Sequence, residues 1–161
     1  MSTQTEPPPA EARLQLDLQI ADSCAQIPDR LTLERYLQAA LDERPLPSSL
    51  TLRVVGSNES CALNHEFRNI ARPTNVLAFP STGLEEIFPE FLGDIVVCGP
   101  RVTEEAAEQG KSVEAHWAHL VVHGALHLLG YDHIETDDAA RMEELERKLL
   151  AGLGFPDPYA Q

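Results

Sequence analysis

Between Ser112 and Leu129 the chain runs through Trp117, Leu120, Val121, Val122, Ala125, Leu126, Leu128 and Leu129 with almost no polar face. That pattern predicts a helix buried around most of its circumference. Its polar exceptions, His116, His119, His123 and His127, recur at three- and four-residue steps and so share one side. Any fold this chain adopts must place the helix at its centre and leave that stripe of imidazoles room. His123 and His127 lie one turn apart on the same face, the spacing a single cation needs. Gly130 stands where a helix commonly ends in a left-handed conformation, so the reversed chain can bring His133 back toward the first two rings.

Three neutral imidazoles with an open fourth position suit a catalytic Zn²⁺, one per chain, better than a structural site closed by four Cys or His ligands. The competing reading of each histidine is ordinary burial in a core. His116 lies about 10 Å from His123 along the axis, too far to share its ion. His116 and His119 are therefore read as residues supporting the ligands from behind, or as packing residues with satisfied hydrogen bonds. Asp132 or one of these two histidines is a candidate to assist proton transfer.

The spacing H-x-x-x-H-x-x-G-x-x-H matches the metzincin peptidases in ligands and in glycine. Those enzymes carry a Glu after the first His as general base, whereas this chain has Gly124. A metzincin-like peptidase is thus an alternative that lacks its base.

The whole stretch His123-Gly124-Ala125-Leu126-His127-Leu128-Leu129-Gly130-Tyr131-Asp132-His133 resembles the H-G-x-L-H-L-x-G-Y-D-H signature of the bacterial endoribonuclease YbeY family. Leu63 to Arg68, Arg72 to Pro80, Gly93 to Cys98 and His116 to His133 follow the family's blocks in order, and the resemblance spans residues 13 to 159. Ala78 departs from it, since many relatives carry Ser there. The resemblance implies a zincin-like α+β domain and a zinc-dependent, single-strand-preferring endoribonuclease. It further implies a role in maturing the 3′ end of small-subunit (16S) rRNA and in ribosome quality control. It implies His123, His127 and His133 as zinc ligands and Arg68 as the functional arginine, holding a phosphate through bidentate contacts. A surface Arg68 paired with a carboxylate is the plainer alternative. The implied partners are rRNA, ribosomal particles and ribosome-assembly factors, with neither DNA nor membrane. A non-enzymatic alternative remains, an assembly factor whose metal only staples the central helix to the following turn.

Charge limits how RNA is bound. Twelve Lys and Arg stand against 26 Asp and Glu, a formal net charge of −14, which excludes a broad basic coat. Positive potential must be concentrated at the metal and a few arginines, or a partner must supply the affinity. Cys24, Cys61 and Cys98 are odd in number and widely spaced, as expected of reduced thiols in a cytoplasmic protein. The N-terminus has no secretory pattern, and no apolar run approaches a membrane span.

At 161 residues one domain is expected, with residues 1–12 a disordered tail and 13–161 the folded unit. Alternation from Arg13 to Ile20 predicts a strand, and Leu31 to Glu43 a helix. Leu50 to Val55 follows as a strand, then a helix from Glu59 to Asn69 capped by Asn58. Asn75 to Phe79 and Gly93 to Cys98 are strands, with Asp94 either a functional carboxylate or a cap at a strand start. Pro100 opens a helix that Gly110 ends. A last helix from Glu135 to Gly152 turns Met142, Leu145, Leu149 and Leu150 inward and its acids, Glu143, Glu144 and Glu146 among them, outward as a solvated face. The sum is a small mixed four-stranded sheet with about five helices around a central buried metal-binding helix.

Overall fold

A computed structural model of the chain describes residues 14–23, 26–42, 47–83, 86–131 and 136–160. The expected N-terminal tail, Cys24, Asp132 and His133 lie outside them. In chain order the elements are β1 (Leu14–Ile20), α1 (Arg30–Leu41), β2 (Ser48–Val55), α2 (Ser57–Arg68), β3 (Val76–Pro80), β4 (Phe91–Cys98), α3 (Gly99–Gln109), α4 (Val113–Leu128) and α5 (Thr136–Gly152). Among the described residues, four strands and five helices match the architecture expected from sequence.

The strands form one mixed sheet in the order β1-β2-β4-β3. β1, β2 and β4 run parallel, and β3 lies antiparallel on the β4 edge. At Gly93 (φ +134°) an added Cβ would stand 2.2 Å from the Phe79 carbonyl oxygen, so only glycine lets β4 pair with the end of β3 here. Because side chains alternate along a strand, the sheet sorts its residues onto two faces. Leu50, Leu52, Val54, Ile95 and Val97 join Leu33, Leu37, Trp117, Val121 and Met142 in the main core. Val55, Leu77, Val96 and Cys98 face the other way, with Leu63 of α2 and Phe79 against them. The main core holds α4 against the sheet, with α1 and α5 packed on it.

α4 is built to be enclosed. Ser112 caps it, its hydroxyl accepting from the Ala115 amide at 3.0 Å. Trp117, Val121, Val122 and Ala125 have no exposed surface, and each large apolar side chain so buried contributes roughly 1.5–3 kcal/mol. The helix ends as expected at Gly130 (φ +101°): the Gly130 amide donates to the His127 carbonyl at 3.0 Å and the Tyr131 amide to the Leu126 carbonyl at 3.1 Å. This paired closure satisfies two of the carbonyls a helix end leaves bare.

Two local expectations need correction. Asn58 lies inside α2, whose N-cap is Gly56 with no side-chain hydrogen bond. Ser60, inside the first turn of α2, instead ties the helix to the chain ahead of β3: its hydroxyl accepts from the Thr74 amide at 3.0 Å and donates to the Thr74 carbonyl at 2.9 Å. Asp94 stands within β4, which begins at Phe91, so it is not a strand-start cap. Cys98 is buried and Cys61 half-buried, both as free thiols. Among the described residues no helix is long and apolar enough to cross a membrane.

Candidate metal centre

The four imidazoles of α4 stack along its open side, with ring centroids 6.1 Å apart from His116 to His119, 6.1 Å from His119 to His123, and 4.7 Å from His123 to His127. Only the last pair converges nitrogen on nitrogen: Nε2 of His127 and Nε2 of His123 are 3.2 Å apart. Two Zn–N bonds of about 2.0–2.1 Å at a tetrahedral angle would set the nitrogens about 3.4 Å apart. Two lone pairs facing each other at this distance repel unless a cation or a proton lies between them. The donor set therefore fits a metal ion. The structure brings His123 and His127 together as the spacing predicts.

Behind His123 stands a residue that the sequence reading had turned outward. Glu146 of α5 has no exposed surface, and its Oε2 lies 2.6 Å from His123 Nδ1. The same oxygen is 3.6 Å from His119 Nε2, and the Tyr159 hydroxyl donates to Oε1. Burial pushes the Glu146 carboxyl up, but the hydrogen bonds of His119, His123 and Tyr159 and the attraction of His123 outweigh it and hold the group at about 2. Burial and that same carboxylate push the Tyr159 phenol well above its usual value.

His119, His123 and Glu146 each offer one ligand atom within 4.8 Å of the others, a group that could also hold a metal. The 2.6 Å separation of His123 Nδ1 from Glu146 is, however, that of a charge-assisted hydrogen bond. An ion between them would force the two atoms apart. The Nε2 pair is the better seat for the cation.

His116 is buried and tied elsewhere, its Nε2 2.8 Å from Glu105 Oε1 and its Nδ1 without a partner. Glu105 also accepts from Asn75 Nδ2 at 2.9 Å and pairs with Arg101 at 3.3 Å. His119 points its Nε2 to the Tyr159 hydroxyl at 3.3 Å. Arg68 is exposed at the last turn of α2, and among the described residues no carboxylate pairs with it. The turn after it is braced by Asn64, whose side-chain amide donates to the Arg72 carbonyl at 2.9 Å.

The position after the first histidine is closed to a side chain. A Cβ on Gly124 would stand 2.9 Å from Ile95 Cγ2 on β4, tighter than packed atoms tolerate. The glycine lets α4 press onto the sheet. The residue that would serve as a peptidase base has no room there.

The sequence profile of the family described as Endoribonuclease YbeY matches residues 19–154. The chain belongs to the YbeY family. It is 54% identical over 148 residues to the Endoribonuclease YbeY of Pseudomonas putida strain W619, covering 91% of this chain and 94% of that one. It is 51% identical over 149 residues to that of Pseudomonas savastanoi pv. phaseolicola, covering 92% and 89%. Among solved structures, the solution structure of a Thermotoga maritima protein superposes with a TM-score of 0.61 at 26% identity, covering 91% of this chain and all of the other.

Within this YbeY-family chain, Glu146 and Tyr159 are what sequence reading missed. A signal existed for the first: Met142, Glu146 and Leu150 lie four apart, so the acid sits in line with two buried residues. A carboxylate is almost never fully buried unless paired, and its partner here comes from another helix.

Proposed function

We propose that this chain is a zinc-dependent endoribonuclease that cleaves single-stranded RNA at the 3′ end of small-subunit rRNA, in the cytoplasm, as part of ribosome maturation and quality control. The observation that carries the reading is the 3.2 Å convergence of the His123 and His127 Nε2 atoms on a buried helix, in a chain whose relatives carry an endoribonuclease name. His123, His127 and His133 are the proposed ligands. Bound there, the ion would act as a Lewis acid on a phosphoryl oxygen. Arg68 is exposed and free to grip a phosphate through two parallel hydrogen bonds and to offset negative charge gathering in the transition state. Gly124, packed on Ile95, disfavours the peptidase alternative.

With a net charge of −14, the chain relies on a ribosomal particle or an assembly factor to present the strand. Free RNA should bind weakly, with a log–log salt slope of about −2 or shallower. Purified, metal-quantified protein should cut single-stranded precursor rRNA, best within small-subunit particles, and His127→Ala should not. A 2′,3′-cyclic phosphate on the fragments would identify the ribose 2′-hydroxyl as nucleophile, and a 5′-phosphate would identify water. Folded, metal-loaded protein that leaves both free and particle-bound RNA intact would instead support the assembly-factor role.

A further inference from the structure

We propose that Glu146 is a positioning residue for the metal centre, holding the His123 ring in one tautomer and one orientation, with Tyr159 holding Glu146 in turn. The inference rests on the reading of His123 as a metal ligand. An ionised carboxylate only accepts hydrogen bonds, so the 2.6 Å contact with Oε2 places a proton on His123 Nδ1. In the neutral ring the lone pair then belongs to Nε2, the atom that faces His127. An imidazole without this contact could carry its proton on either nitrogen and turn about its Cβ–Cγ bond.

The surroundings argue against a purely structural role. Glu146 lies fully buried between Met142 and Leu150 on α5, where an apolar side chain of similar size would pack without the desolvation cost of a charge. Both carboxylate oxygens are instead engaged, Oε2 by the histidines and Oε1 by the Tyr159 hydroxyl. Tyr159 is itself fixed: its amide donates to Asp157 Oδ1 at 2.8 Å and the Arg147 guanidinium lies 5.3 Å from its ring centre. Carboxylates of this kind behind metal-bound histidines typically contribute 10–100-fold to metal affinity.

The test uses the full chain and Zn²⁺ as the probe, with affinity measured by chelator competition and the His123 tautomer read from imidazole ¹⁵N shifts of the metal-free protein. Glu146→Leu should weaken zinc binding by roughly 10–100-fold and abolish the single Nδ1–H tautomer. Glu146→Gln, which keeps an acceptor without the charge, should fall between Glu146→Leu and the unsubstituted protein. Tyr159→Phe should weaken binding by less than about tenfold. Should Glu146→Leu fail to fold, the Gln and Phe variants carry the same test. Unchanged zinc affinity and an unchanged tautomer in these variants would overturn the assignment of Glu146 while leaving the metal centre standing. An unsubstituted protein that takes up no zinc would overturn the metal reading itself.

Discussion

The two shortest histidine–glutamate contacts along α4, His116–Glu105 and His123–Glu146, differ in which ring nitrogen meets the carboxylate. His116 presents Nε2 to Glu105 at 2.8 Å and keeps Nδ1 buried without a partner, its side chain 3% exposed. His123 presents Nδ1 to Glu146 at 2.6 Å, with its side chain 18% exposed and Nε2 directed at His127. The first ring is spent on joining α4 to α3. The second has its outer nitrogen aimed at a neighbour. One side-chain type on one helix thus either ties two helices or turns its outer nitrogen to a second imidazole, according to which atom its carboxylate occupies.

The sharpest way to break the contrast is to remove the outer nitrogen. His123→Ala or His127→Ala should cost on the order of 3–4 kcal/mol of zinc binding, a share of the roughly 10–16 kcal/mol of a complete site. That is some hundreds-fold in affinity, and it should abolish RNA cleavage. Chelator competition and elemental analysis of the folded variant would reveal near-stoichiometric metal if the pair were not the seat.

A smaller effect separates the site from the packing beneath it. Gly124→Ala should destabilise the protein by about 1–2 kcal/mol, because overpacking against Ile95 outweighs the roughly 1 kcal/mol that Ala gains over Gly in a helix. Urea unfolding of the metal-free variant measures this. A stabilised Gly124→Ala would mean that α4 can lift off the sheet freely.

Removing the tie should leave the ligand intact. His116→Gln should lower stability by about 1 kcal/mol and change zinc affinity by less than about twofold, in contrast to any substitution at His123. Loss of zinc in His116→Gln would merge the two pairs into one network.

A further contrast lies in pH. Burial pushes the His116 imidazolium below its ordinary value, against the pull of Glu105. The unfolded chain therefore takes up a proton near pH 6.5 that the folded chain refuses, and stability falls as pH drops through that window, by at most about 1.4 kcal/mol per pH unit. Glu105 is held low by His116 and Asn75 against its own burial. Its contribution is complete above about pH 4.5 and lost below. His116→Gln should flatten the slope between pH 5 and 7, and an unaltered slope would place the titration elsewhere.

What could be read from sequence follows how local each cause is. The buried helix, the histidine stripe and its ending at Gly130 depend on residues within one or two turns, and all three stand as expected. Arg68 follows from the family motif alone, and at the exposed end of α2 it makes no hydrogen bond or ion pair with a histidine among the described residues. Glu146 and Tyr159 were not legible because their roles depend on the docking of α5 and the segment after it against α4. An acid in a helix rich in acids carries no mark of its partner until that partner is packed on it.

That separation along the chain has a consequence for the order in which the protein is completed. The carboxylate reaches back 23 residues to His123, and the tyrosine hydroxyl 40 residues to His119. A ribosome making this chain from its N-terminus has already joined both imidazoles to it when the groups that aim them are still unmade. An oriented His123 therefore reports that α5 and the segment through Tyr159 have been made and docked onto α4.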